Sequence, residues 1–312
     1  MQVVEWLKFK LWQCIFYPYY HILYFMKRKI CTKLHIVNSE KTVKYIIKHQ
    51  CSVSRFGDGE ISLAIHLKRQ GNENNYHVDS FQKFDKDLAQ RLLDILKVQN
   101  AVDNHIVCIP YDIVKPQAVG YNRIYWKRFF VKVCIPNIDI FNLNYSYFDA
   151  TFTRFYMGKS VKWKSNLSSY ILLLKKIWEG QDICFVEGMN SRLGVGNDLF
   201  DNARSIKRIL VPPTNAFSKY QEILKAAMSA PASLYLLAIG HTATVLAYDL
   251  AKARKWAIDV GHIDIEYEWL RMKAIHKMPV PFKYVNEVQC GRVITAYHPD
   301  TKYKYQIHHI VR

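Results

Sequence analysis

Several absences narrow this chain before any motif does. Its seven cysteines include no C-x-x-C pair and are scattered through apolar runs such as Val107-Cys108-Ile109 and Ile183-Cys184-Phe185. Neither a disulfide framework nor a zinc site is indicated, so the cysteines read as reduced core residues of a cytosolic protein. The twelve histidines show no metal spacing, and His308-His309 reads as a surface pair or a strand end. No linker rich in proline, glycine or serine, no internal repeat and no low-complexity tract divides the sequence, so residues 36–312 are expected to form one domain. Acidic residues are few, 26 against 44 lysines and arginines, for a formal charge of +18. Such a balance draws anionic partners, namely nucleic acid, an anionic membrane or phosphorylated substrates. No zinc-finger, RRM or KH signature occurs and the basic residues are dispersed among aromatics, so nucleic acid is not an expected partner.

Long apolar runs are also missing. The most apolar stretch is uncharged from Leu11 to Met26, with Lys8 and Lys10 before it and Lys27-Arg28-Lys29 after it. It falls short of the ~20 residues of a spanning helix, Pro18 interrupts it, and no small-residue cleavage site follows. Residues 1–35 are therefore expected to act as an anchor on an anionic membrane surface, with aromatics at headgroup depth. A buried helix or partner-docking surface and a true span are the alternatives. An anchor of this kind would place a cytoplasmic protein peripherally at the inner face of the cell membrane.

Half of the residues are hydrophobic, enough for a substantial core. Strand-like runs at His105 to Ile109, Asp182 to Val186, Ile206 to Val211, Ser233 to Ile239 and Trp256 to Val260 alternate with helix-like ones. The helical patterns cover Glu40 to His49, Phe84 to Val98, Tyr170 to Trp178, Asn197 to Ser205, Tyr220 to Ser229 and Thr242 to Ala253. This alternation predicts an α/β, Rossmann-like fold, a mostly parallel sheet with helices on both faces. Ligands collect outside the carboxyl ends of the strands in such sheets, and every distinctive motif of this chain follows a strand.

The first of these motifs is Ser54-Arg55-Phe56-Gly57-Asp58-Gly59-Glu60. In extended chain Asp58 and Glu60 project to one side, and Gly57 and Gly59 let the backbone approach a ligand. Two hard carboxylates so placed suit Mn²⁺ or Mg²⁺, whereas an ordinary solvated turn is the plain alternative. Downstream come Glu187-Gly188-Met189-Asn190-Ser191-Arg192-Leu193-Gly194-Val195-Gly196-Asn197-Asp198, Pro212-Pro213-Thr214-Asn215, Gly240-His241-Thr242-Ala243 and Asp259-Val260-Gly261-His262-Ile263-Asp264-Ile265-Glu266-Tyr267-Glu268. Together, from about Ser52 to about Glu287, these blocks resemble a bacterial glycosyltransferase family, once a domain of unknown function, whose fold has been called GT-D. The resemblance implies that 36–312 is a single GT-D-like catalytic domain using a UDP-hexose or similar nucleotide-sugar donor. It further implies a Mn²⁺-type cation on Asp58 and Glu60, and a growing glycan, glycolipid or glycoprotein as acceptor. Arg55, Gly57, Glu187, Asn215, Gly240 and Thr242 are expected at the donor site. One departure stands out: the family's Gly-Pro-Thr-Ala is replaced by Gly240-His241-Thr242-Ala243.

Glycosyl transfer leaves negative charge on the departing diphosphate, and fixed arginines or backbone N–H groups stabilise it. Arg55, Arg154 and Arg192 are the candidates, with surface ion pairs as the plain reading of each. Gly194-Val195-Gly196-Asn197 resembles a phosphate-cradling loop at a helix N-terminus, and Asn197 or Asp198 would merely cap that helix otherwise. Thr242 similarly opens or caps the next helix. Asp259, Asp264, Glu266 and Glu268 crowd four carboxylates into ten residues, so Asp264, Glu266 and Glu268 are candidate catalytic acids or bases. Glu266 and Glu268 share a side if that segment is extended. The segment from Tyr111 to Trp163, rich in aromatic and basic residues, suits a sugar acceptor or else packs as an insertion. Two other functions fit the pattern less well. A Rossmann methyltransferase or dehydrogenase needs an early glycine-rich loop, and a non-catalytic nucleotide-sugar or glycan binder has no use for the carboxylate pair.

Overall fold

The computed structural model describes residues 18–30, 32–70, 81–294 and 300–312. Its centre is a nine-stranded sheet in the order β1-β4-β3-β2-β8-β7-β5-β6-β9. The strands are β1 (His35–Ile36), β2 (Ser52–Arg55), β3 (His105–Ile109), β4 (Ser146–Asp149), β5 (Asp182–Gly188), β6 (Ser205–Val211), β7 (Leu234–Ala238), β8 (Trp256–Asp259) and β9 (Ile307–Ile310). Every neighbouring pair runs parallel. The sheet is therefore the parallel α/β type that the alternation of runs predicts.

Alternation along β5 shows how the two faces are covered. Cys184 and Val186 enter one buried cluster, Ile183 and Phe185 the other, because successive strand residues point to opposite faces. On the first face lie helices α2 (Asp58–Lys68), α3 (Lys86–Leu96), α6 (Tyr220–Ser229) and α7 (His241–Lys252); on the second lie α1 (Ser39–His49), α5 (Leu167–Lys175) and α8 (Ile263–Arg271). Helix α3 illustrates the logic. Asp85 caps it by accepting from the Leu88 N–H at 2.9 Å, and Leu88, Leu92 and Leu96 at four-residue spacing are buried. Truncating Leu92 to Ala there would cost about 2–5 kcal/mol.

One predicted helix does not form. Asn197 to Ser205 is a series of turns, with Asp201 N–H donating to the Asp198 carbonyl and Ala203 N–H to Phe200. Its other backbone groups go to the α5–β5 connection: the Asn202 carbonyl accepts from Gly180, and Arg204 N–H donates to Gln181. Phe200 plugs the core against Trp178 and Phe185, so packing and cross-segment bonds take the place of an intrahelical ladder.

Of the N-terminal segment, only part lies within the described residues. Residues 18–30 are helical, with Pro18 the first described residue; the part of the expected anchor before it lies outside the described residues. Tyr24 of this helix donates its hydroxyl to the Val114 carbonyl at 2.6 Å and packs edge-on against Phe130. Its opposite side exposes Tyr19, Ile22, Phe25 and Met26. The same helix thus docks on the domain and presents an apolar face. Among the described residues no helix is long and apolar enough to cross a membrane.

Candidate active site

A cavity of about 540 Å³ opens at the carboxyl ends of the central strands β2, β8, β7 and β5, where a sheet of this class binds its ligands. It gathers residues from Arg55 to Glu287, which only the tertiary fold brings together.

Asp58 and Glu60 both line it. They lie on the first turn of α2 and not in extended chain, which corrects the expectation that they project to one side: residues two apart on a helix point in different directions, and what the two share is the cavity. The Gly57 N–H donates to Glu60 Oε2 at 2.8 Å, so Glu60 closes the helix start with one oxygen, and both carboxylates favour the positive end of the helix dipole. Glu60 Oε1 lies 4.0 Å from His241 Nδ1. Asp58 accepts from the Tyr125 hydroxyl, contributed by α4 (Gly120–Phe129). Among the described residues no group of three or more His, Cys, Asp or Glu is placed so that it could hold a metal ion. A cation held here would have these two carboxylates as its protein ligands and would take its remaining oxygens from substrate and water, as Mg²⁺ commonly does.

Arg55, at the end of β2, bridges two walls. It donates to the Ala150 carbonyl at 2.9 Å and to Thr153 Oγ1 at 2.6 Å, and its Nε lies 3.4 Å from Asp259 Oδ1. Gly261, at φ +48, makes room for it, since a Cβ there would sit 1.9 Å from Arg55 Nη2. Burial lifts the Asp259 carboxyl to about 6; Arg55 opposes this rise and Glu60 adds to it.

Arg154 belongs to a second network. It pairs with Glu287 and lies 3.7 Å from Glu266 Oε1. Glu287 also meets His262 Nδ1 at 2.9 Å and Lys277 Nζ at 2.5 Å. Burial alone would raise Glu287, but Arg154 foremost, then His262 and Lys277, holds it well below the usual carboxylate range. His262 is shifted down by burial and by Arg154, hence neutral at pH 7. Glu266 Oε2 accepts from the backbone N–H groups of Tyr156 and Met157, both at 2.8 Å. Glu266 thereby fixes the loop that carries Arg154.

The other acids of that block are committed elsewhere. On a helix, residues two apart point to different sides, so Glu266 and Glu268 do not share a face. Asp264 and Glu268 do, one turn apart, and buried Lys283 sits between them at 2.7 and 2.9 Å. Asp264 Oδ1 accepts from the Gly194 N–H and Asn197 Nδ2, and Glu268 Oε1 from Asn197 Nδ2 at 2.6 Å. Asp264 borders the cavity with both oxygens engaged, and Glu268 does not line it. In this structure these two hold the Gly194–Asn197 turn onto α8.

Other residues expected at the donor site lie away from the cavity lining. Glu187 is fully buried, paired with Arg208 and accepting from Leu193 N–H at 2.8 Å. Arg192 lies over the Tyr303 ring, 5.4 Å from its centroid. Gly194 and Gly196 take positive φ in a turn that leads into no helix, and the Gly196 carbonyl accepts from Arg271 at 2.8 Å. Asn215 ties down the chain at 81–83 by donating N–H to the Phe81 carbonyl and accepting from Lys83 N–H. Thr242 is buried within α7 and caps nothing. None of Glu187, Arg192, Gly194, Gly196, Asn197, Asn215 or Thr242 lines the cavity, whereas Arg55, Gly57, Arg154 and Gly240 do. Glu287, Lys277 and Tyr125 also belong to the site, and nothing in their sequence spacing links them to the motifs.

A model of the glycosyltransferase GT-D fold family matches residues 53–288. The chain belongs to the GT-D glycosyltransferase family. It is 33% identical over 278 residues to a probable glycosyl transferase Gly of Streptococcus gordonii, covering 88% of this chain and 38% of that protein. It is 34% identical over 264 residues to the glycosyltransferase GlyD of Streptococcus pneumoniae serotype 4, covering 81% of this chain and 30% of that protein. The GT-D chain thus spans well under half the length of these two relatives. Among solved structures, one described as domain of unknown function 1792 with a distinct glycosyltransferase fold superposes with a TM-score of 0.82 at 33% identity, over 93% of this chain and all of that one. A glycosyltransferase of the same domain type from Streptococcus sanguinis gives 0.73 at 31% identity, over 89% of this chain and all of that one.

Proposed function

We propose that this GT-D domain is a metal-dependent transferase that moves a hexose from a UDP-sugar to a glycan, whether free, lipid-linked or protein-linked. The observation that carries the proposal is the pairing of Asp58 and Glu60 on one helical turn beside a cavity that also holds Arg55, Arg154 and Lys277. Two hard carboxylates fit Mn²⁺ or Mg²⁺, and the cation, when bound, supplies Lewis acidity toward the diphosphate leaving group.

The chain's own residues do the rest. Arg154 is the cation best placed to meet negative charge that develops in the cavity: it is fixed by Glu287 and Glu266 and partly exposed there. Because it is held before substrate arrives, little reorganisation accompanies the reaction. Tyr125, Trp126, Met157 and Lys159 also line the cavity, and aromatic faces beside basic groups suit an acceptor sugar. The exposed Ile22, Phe25 and Met26, next to Lys27, Arg28 and Lys29, fit a peripheral position on an anionic, cytoplasm-facing membrane surface.

Release of UDP from a panel of UDP-sugars in the presence of Mn²⁺ tests the reading. Turnover should vanish in EDTA and return with Mn²⁺ or Mg²⁺, and Asp58→Asn or Glu60→Gln should lower kcat on the order of 100-fold at limiting metal. Full activity of both variants, or turnover indifferent to EDTA, would refute metal dependence.

A further inference from the structure

His262 is oriented by the second network but not consumed by it. It stands between β8 and α8 and lines the cavity, with 34% of its side chain exposed. Its Nδ1 lies 2.9 Å from Glu287 Oε1. Glu287 is held ionised by Arg154 and Lys277, so it can only accept, and the proton of that bond sits on Nδ1. The lone pair of the ring is thereby fixed on Nε2. That atom has no protein partner among the described residues and is not buried. Burial foremost, then Arg154, lowers the imidazole below its ordinary value, which keeps the lone pair available at neutral pH.

The acids around it are already spent. Glu266 gives one oxygen to two backbone N–H groups and turns the other toward Arg154. Asp259 accepts from the Gly261 N–H at 3.0 Å and faces Arg55. Asp112, only 3% exposed, gives Oδ1 to the N–H groups of Gln117 and Ala118, both at 2.7 Å. The proposed function commits Asp58 and Glu60 to the cation. His241 also lines the cavity, but it is buried and has no hydrogen bond to set its tautomer.

We propose that His262, oriented by Glu287, is the general base that activates the acceptor hydroxyl, and that transfer inverts the anomeric centre. This rests on the UDP-sugar reading given above and deepens it. His262 Nε2 takes the hydroxyl proton as that oxygen bonds to the anomeric carbon. The bond from the same carbon to the diphosphate oxygen breaks, and its electron pair leaves with UDP. A base acting in one such displacement serves a nucleophile on the face opposite the leaving group, hence inversion. Glu287 stabilises the imidazolium that forms, as a carboxylate does in other carboxylate–histidine pairs. Arg154 and Lys277 oppose it, but Glu287 and Glu266 balance their two charges, so the proton arrives in a neutral cluster.

Azide supplies the test, because it attacks as an anion with no proton to give up, whereas water must lose one. The full chain is assayed with Mn²⁺ for UDP release from a panel of UDP-sugars, with water and with sodium azide as acceptors. His262→Ala and His262→Gln should release UDP to water roughly 100-fold more slowly than wild type, or slower still. Their azide-dependent release should stay within about threefold of wild type, with melting curves confirming the fold. The sugar released by wild type should carry, by proton NMR, the anomeric configuration opposite to the donor's. Folded variants that lose both reactions equally, or neither, overturn the role of His262, and so does a product with the donor's configuration; the transferase reading survives each of these. If wild type releases UDP with neither acceptor from any donor of the panel, the UDP-sugar reading falls as well.

Discussion

Lys283→Met tests the assignment of the acidic block most severely. The Lys283 side chain is only 3% exposed and neutralises Asp264 at 2.7 Å and Glu268 at 2.9 Å, both nearly as buried. Methionine fills the space but leaves two carboxylates one helical turn apart with no cation between them. Asp264 keeps its bonds from Gly194 and Asn197, and Glu268 keeps those from Asn197 and Arg271, so part of each charge stays compensated. Removal of one partner from a buried network typically costs about 3–5 kcal/mol, a large share of the roughly 5–15 kcal/mol that holds a typical protein together. Equilibrium urea unfolding should show this as a lower midpoint at unchanged slope. The triple variant Lys283→Met, Asp264→Asn, Glu268→Gln should recover more than half of the loss, since it removes the charges together. Donor affinity of folded Lys283→Met should stay within about threefold. A stability change under about 1 kcal/mol, or a large loss of donor binding in the folded protein, would refute the structural reading and return Asp264 and Glu268 to the chemistry.

Three further outcomes are expected. Glu266→Gln keeps an acceptor for Tyr156 and Met157 but turns an amide toward Arg154, so kcat should fall roughly tenfold, about 1.4 kcal/mol; a fall of about 10³ or more would make Glu266 the general base instead. For Asp259, whose folded value of about 6 exceeds its ordinary 3.8, the native state holds the proton more tightly. Its contribution to stability therefore falls as pH rises from about 4 to about 6 and levels off roughly 3 kcal/mol lower. The stability difference between metal-free wild type and Asp259→Asn should follow that window, and a pH-independent difference counts against it. Replacing Ile22, Phe25 and Met26 by serine should release the protein from anionic liposomes in sedimentation while sparing UDP release; undiminished binding would assign membrane affinity to general positive charge.

The sheet was legible because buried parallel strands are continuous apolar runs. His105 to Ile109 matches β3 residue for residue, and the other expected strands are off by one or two positions. The edge strands β1 and β9, and β4 next to β1, gave no such signal, being short and, at β1 and β9, largely exposed. The spurious helix at Asn197 to Ser205 shows where periodicity misleads: Leu199 and Phe200 are buried, but the bonds that fix them come from Gly180, Gln181 and Trp178, outside any local window. Asp58, Glu60 and Arg55, picked out by glycine spacing and charge at a strand end, and Arg154, picked out by a Thr-Arg-Phe-Tyr block similar to a family motif, all line the cavity. Glu287 and Lys277 were not picked out, because Arg154 lies far away in sequence and pairings of that kind have no periodic signature.

Helical phase explains why the densest motif divides its labour. Along α8 each residue turns the side chain by about 100°, so Asp264 and Glu268 return to one face while Glu266 points away from it. The first face meets Lys283 and the Gly194–Asn197 turn. The second meets Arg154 and the loop at Tyr156 and Met157. One short helix thereby pins two loops from distant parts of the chain against opposite sides of a single scaffold, and only the second carries an arginine into the cavity. Two separate positioning contacts, each met by its own cation, therefore account for this crowding of carboxylates. A carboxylate that is to act on substrate in this cavity must be one whose oxygens are not already spent on backbone and lysine. Asp58, held by a tyrosine hydroxyl, and Glu60, with one oxygen left over from the helix start, meet that condition.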